Sequence, residues 1–184
     1  MKYINPSFTA SSLSDGGLAL LPVLDVYKQE LYAHPFADTL NKEIANHSAQ
    51  MKFVSWQDAI SKINDDSLGD SYQAAISMYQ TTSLVDKSLI QRIGKSLGVR
   101  YLMLVSLSKY RTISSVGSSL LSKAEPVDSA TVSAFARIWD SESGDVMWEA
   151  TGESEADSGE FTYLPRDFEF YFRSIASALV SKLP

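Results

Sequence analysis

The chain of 184 residues has no cysteine and only two histidines. Without cysteine there are no disulfides, no thiolate metal sites and no cysteine nucleophile, although the redox compartment stays open. No apolar run approaches the ~18 residues that a membrane span requires. The start, Met-Lys-Tyr-Ile-Asn-Pro, lacks the apolar core of a signal peptide, so export would need a targeting segment ahead of this sequence. Basic residues are also few: 16 Lys and Arg stand against 22 Asp and Glu, for a net charge of −6. The basic residues are scattered singly, which argues against a nucleic-acid partner, because neutralising phosphates takes clustered cations.

Catalytic and binding motifs are scarce as well. No Gly-x-Gly-x-x-Gly occurs, which removes the dinucleotide fingerprint. Gly94-Lys95-Ser96 resembles the end of a phosphate-binding loop, but position 89 is Leu where that loop needs Gly, and the stretch reads as helix. Asn64-Asp65-Asp66-Ser67-Leu68-Gly69-Asp70 lacks the alternating Asp and closing Glu of a calcium loop; it reads as the cap of one helix and the start of the next. His34 and His47 flank one helix about four turns apart, too far to share a metal as an i, i+4 pair would. Serines are many, yet no Gly-x-Ser-x-Gly elbow singles out a nucleophile. Glu153, Glu155 and Asp157 alternate along one strand face, as solvated edge charges do. No catalytic, cofactor or metal residue is therefore assigned.

What is present is ordinary globular composition, 45% hydrophobic and 21% charged, and enough chain for one full core. The clearest stretch runs from Thr131 to Ser154. Two arms of period-two alternation flank Asp140-Ser-Glu-Ser-Gly-Asp145, a hairpin signature with Gly144 supplying the positive φ of the turn. The carboxylates of that turn read as solvated. Val146, Trp148 and Ala150 are expected on one face of the second arm. On the first arm Phe135, Arg137 and Trp139 share a face; they are either core under a helix or an outward row of interface-type residues.

Residues 1–16, rich in Ser, Asp and Gly, read as a flexible arm, followed by a single domain over 17–184. Leu18 to Val26 reads as a strand broken or bulged at Pro22. Helices are expected from about Pro35 to Ser48, from Trp56 to Ile63, through Leu68, Tyr72, Ile76 and Tyr79, and from the N-cap Asp86 to Gly98. Met51–Ser55 is a short strand. Tyr101–Val105, apolar on both faces, predicts a central strand. A Ser/Gly-rich loop over 114–127 precedes the hairpin, and a helix over about 166–182 closes the chain. The pattern predicts an α+β fold, a mixed sheet with helices packed mainly on one face.

Ala-Leu-Leu-Pro-Val in the first strand, Leu97-Gly98-Val99-Arg100-Tyr101-Leu102 at the start of the long strand and Ile138-Trp139-Asp140 to Gly144-Asp145-Val146-Met147-Trp148 in the hairpin resemble one family. This is the TolB N-terminal-domain-like group of bacterial envelope lipoproteins, which includes secretion, polysaccharide-export and cell-wall accessories. The resemblance spans about residues 17–183; Ser143 stands where Thr is commoner, and Val23 where Phe is.

The resemblance implies an α+β domain without catalytic residues or cofactors. It also implies exposure to the periplasm, with tethering to the outer membrane through a lipid anchor ahead of the domain. The expected function is a non-enzymatic envelope accessory that self-assembles or docks on a secretion, polysaccharide-export or cell-wall machine. Its partners would be other envelope proteins and itself. The alternatives are a monomeric activator of an envelope enzyme and a hydrolase of unfamiliar design.

Overall fold

The computed structural model describes residues 2–25, 30–47, 51–115, 127–157 and 168–184. Their order is β1 (Lys2–Ile4), α1 (Ala10–Gly16), β2 (Leu18–Leu20), β3 (Leu24–Asp25), α2 (Glu30–His47), β4 (Phe53–Val54), α3 (Trp56–Asp65), α4 (Gly69–Thr82), α5 (Lys87–Leu97), β5 (Tyr101–Ser115), β6 (Val127–Asp140), β7 (Val146–Asp157) and α6 (Phe168–Val180). The strands form one mixed sheet in the order β1-β7-β6-β5-β2-β4, with β3 also pairing β5. β1, β7, β6 and β5 pair antiparallel in succession; β2 and β3 pair with β5 in parallel, and β4 with β2 in parallel. The fold is α+β.

β5 is central, as its two-sided apolar run predicts. Pleating sends Tyr101, Met103 and Val105 to one face and Leu102 and Leu104 to the other. The edge of β5 opposite β6 is shared by β2 and β3, because Pro22 interrupts the first strand. Leu18–Leu20 pair with Tyr101–Met103, and pairing resumes at Leu24 opposite Ser106.

The helices lie on both faces of the sheet rather than mainly on one. α2 supplies Phe36, Leu40 and Ile44, and α6 supplies Tyr171, Phe172, Ile175 and Leu179, to a first face that also buries Ile138 and Trp148. α3, α4 and α5 cover the second with Ala59, Ile63, Ala75, Leu89, Ile90 and Ile93, over Leu102, Leu104 and Trp139. The sequence pattern gives each helix an apolar stripe, but not the side of the sheet on which it lands.

Residues 2–16 belong to the fold, against the expectation of a flexible arm over 1–16. β1 pairs with β7 from Lys2↔Ala150 to Ile4↔Trp148. Thr9 and Ser12 close a capping box around the start of α1. Phe8 and Leu13 are buried, and Phe8 packs edge-on against Tyr101 at 4.9 Å. The carbonyls of Gly16 and Gly17 accept from Arg100 N and Tyr101 N, stitching the end of α1 to β5.

Smaller differences have local causes. α2 begins at Glu30, so Pro35 sits inside it and lacks the N–H for one helical bond. A bulge between Ile138 and Trp139 pairs Trp139 with Val146, which moves Val146 to the second face while Trp148 and Ala150 stay on the first. Asp86 and Gly98 cap α5 as expected; the Asp86 carboxylate accepts from Ser88 N and Leu89 N, and Gly98 has φ 63°.

Candidate interaction face

The β6–β7 register places Phe135 opposite Thr151, Arg137 opposite Glu149, and Trp139 opposite Val146, all on the second face of the sheet. Arg137 is its centre. Its Nε donates to Glu149 Oε1, and its side chain is 17% exposed. Three rings surround the guanidinium, with Phe135 at 5.3 Å, Tyr79 at 5.6 Å and Trp139 at 5.7 Å from Cζ to the centroid. Partial desolvation strengthens such cation–π contacts. Nη1 also reaches the carbonyl of Ser83, beyond the end of α4, at 3.4 Å. Burial pushes the Tyr79 hydroxyl above the usual range, the nearby Arg137 charge opposing it. The hydroxyl therefore stays neutral.

Trp139 does not reach the surface. It is 4% exposed because Tyr79 lands on it edge-on at 5.6 Å and α5 packs beside it. Of the predicted row, Phe135 and Arg137 keep partial exposure, and Tyr3 extends it. Tyr3 is 44% exposed on β1 and lies opposite Glu149, hence on the same face. Beyond α4, Leu84 is 65% exposed next to the Ser83 carbonyl that Arg137 reaches. Chemically this face offers aromatic area and one fixed ion pair.

The hairpin turn is not simply solvated. Asp140 is 2% exposed. Its carboxylate accepts from Arg100 Nε and Nη2, at 2.7 Å for the latter, and from Glu142 N at 2.9 Å. Burial alone would push this carboxyl up; the Arg100 and backbone hydrogen bonds outweigh it and hold the group below the usual carboxylate range. Ser141 N donates to Arg100 O at 2.7 Å, so the turn is clamped to the start of β5. α5 closes against the same turn: a Cβ on Gly94 would fall 2.2 Å from Ser141 Oγ. Residues forty positions apart build this clamp, and no local spacing announces it.

The remaining candidates are dispersed. Gly94, Lys95 and Ser96 are helical in α5, and Ser96 Oγ donates to Asp66 at 2.6 Å. Two motifs read separately thus meet in one structural bond. Asp66 also accepts from Lys62, and these two bonds hold its carboxyl below the usual range. His34 is exposed and stacks on Trp56 at 5.0 Å; His47 is exposed in the last turn of α2. Glu153 is exposed, while the side chains of Glu155 and Asp157 and residues 116–126 of the Ser/Gly-rich stretch lie outside the described residues. Among the described residues no group of three or more His, Cys, Asp or Glu side chains could hold a metal ion, and no helix is long and apolar enough to cross a membrane.

No family model matches the chain, and no curated protein matches it. Solved structures do. A PelC dodecamer from Paraburkholderia phytofirmans aligns over 100% of this chain and 94% of its own, with a TM-score of 0.58 at 11% identity. Lipoprotein GNA1162 from Neisseria meningitidis aligns over 91% of this chain and 96% of its own, with a TM-score of 0.53 at 12% identity. The hypothetical protein CT253 from Chlamydia trachomatis gives a TM-score of 0.50 at 12% identity, over 91% of this chain and 97% of its own. At these identities the likeness is one of fold, and it agrees with the envelope-lipoprotein resemblance of the sequence motifs.

Proposed function

We propose that this chain is a non-catalytic accessory domain of the bacterial envelope that works by protein contact, assembling with copies of itself. The observation that carries the reading is the likeness in fold, along the whole chain, to a PelC protein solved as a dodecamer. The second face of the sheet supports it. Phe135, Arg137 and Glu149 lie partly exposed there on the same face as Tyr3, residue types common in protein contacts. In this reading the domain sits in the periplasm, tethered to the outer membrane by an anchor ahead of the sequence, and serves a secretion, polysaccharide-export or cell-wall machine.

Crosslinking of the full-length protein in cells, followed by mass spectrometry, tests this. Self-links clustered around the β6–β7 face are the expected result. Links to a single other envelope protein without self-links would replace it with the monomeric activator. No links to any protein would contradict both and revive the hydrolase.

A further inference from the structure

α4 closes over a small cavity on the second face. Leu102, Leu104 and Trp139 of the sheet form its floor, Ile90 of α5 a wall, and Tyr72 and Ile76 of α4 its roof. The cavity measures about 30 Å³, its lining is almost wholly apolar, and Tyr72 is one of the lining residues. Tyr72 Oη is the one buried side-chain polar atom without a hydrogen-bond partner among the described residues. Burial pushes this hydroxyl well above the usual tyrosine range, so it is a neutral donor. An unmet buried hydroxyl costs free energy that a ligand's acceptor would recover. A water alone is a poor substitute, because buried waters ordinarily keep about three partners and this lining is almost wholly hydrocarbon.

The roof helix carries left-handed residues at both ends. Ser67, just before α4, has φ 56°, and Ser83, just after it, has φ 60°. They are the only non-glycine residues with positive φ among the described residues, and they bracket the helix. Both sit in the left-handed region that side chains disfavour, so backbone strain is stored at the two ends of one element. Leu68 at the N-cap makes no side-chain capping bond. Cavity, orphan donor and paired strained ends thus converge on α4.

We propose that α4 is a lid over a binding site for a neutral, mainly aliphatic molecule with one oxygen acceptor, which Tyr72 Oη meets as donor. Neutrality follows from the lining: it contains no Lys, Arg or His, so a carboxylate would be buried without a counter-charge. At about 30 Å³ the cavity is small and holds only part of such a molecule. A longer chain enters by lifting α4 about Ser67 and Ser83.

Titrating the intact chain with 1-hexanol, hexane and hexanoate, read by methyl NMR of Ile76 and Ile90 and by melting temperature, tests the site. 1-Hexanol should shift both methyls and bind about threefold to tenfold more tightly than hexane, the worth of one added hydrogen bond. Hexanoate should bind more weakly than 1-hexanol. Tyr72→Phe should raise the melting temperature of the free protein and abolish the preference for the alcohol. Ile76→Phe, which fills the cavity, should block all three ligands while the protein stays folded. Equal binding of alcohol and hydrocarbon, no binding at all, or a lower melting temperature in Tyr72→Phe would overturn the proposal, the last by showing that the hydroxyl already has a partner.

Discussion

The two faces of the sheet are built to different standards. On the first, α2 and α6 interlock: Phe36 meets Phe172 at 5.3 Å, and Trp148, wholly buried, donates its indole N–H to the carbonyl of Lys182 at 2.9 Å. Gly152 lets α6 approach so closely that a Cβ there would lie 2.9 Å from Ile175 Cγ2 and 3.1 Å from its carbonyl oxygen. On the second face three short helices leave a cavity, an orphan hydroxyl, two strained serines and a partly exposed ion pair. The first face is tightly packed. The second carries the departures from local rules.

Mutations should separate the two. Trp148→Ala should cost the most, about 3–5 kcal/mol in denaturant unfolding, from the lost volume and the cavity left behind. Gly152→Ala should cost about 1–3 kcal/mol, because backbone stands in the way of the new methyl. The larger insertion Ile76→Phe should stay within about 0.5 kcal/mol of wild type, because the second face has room; an equal loss at both sites would break the comparison.

The clamp at Asp140 ties the hairpin turn to the start of β5. Asp140→Asn should cost about 1.5 kcal/mol at neutral pH, the scale of a charged hydrogen bond. Because folding lowers the pKa of Asp140, its contribution is present above the unfolded value near 4 and is lost as pH falls through the folded value. The variant's stability should therefore fall less steeply than wild type below about pH 4. Arg137→Ala should cost about 1 kcal/mol, mostly its ring contacts. Tyr72→Phe should carry the opposite sign, a gain of about 1 kcal/mol, since it removes an unmet donor.

Many of the elements could be read from the chain itself. The alternation through Ala136 and Ile138, the break at Pro22 and the caps at Asp86 and Gly98 are local signals, and local signals survive folding. β1 and α1 were hidden because their apolar content is a few residues, Ile4, Phe8 and Leu13, whose burial depends on β5 and β7. The Thr9–Ser12 box was the one usable sign, with Ser standing where the usual pattern has Glu or Gln. The second face was harder. Phe135 and Arg137 fall on a common face by period alone, but the burial of Trp139 depends on where Tyr79 lands, more than fifty positions away in the chain. Leu68, Tyr72, Ile76 and Tyr79 mark the inward stripe of α4. No spacing reveals that one of those tyrosines faces hydrocarbon without an acceptor.

The most direct test of the central claim, that the second face is where the domain assembles, is the solution mass of the protein by light scattering across micromolar concentrations. Wild type should run as a multimer of many subunits. Tyr3→Glu, at an exposed position on that face, should keep the melting temperature and lose the multimer. A wild-type monomer at every concentration, or a multimer indifferent to Tyr3→Glu, would contradict it.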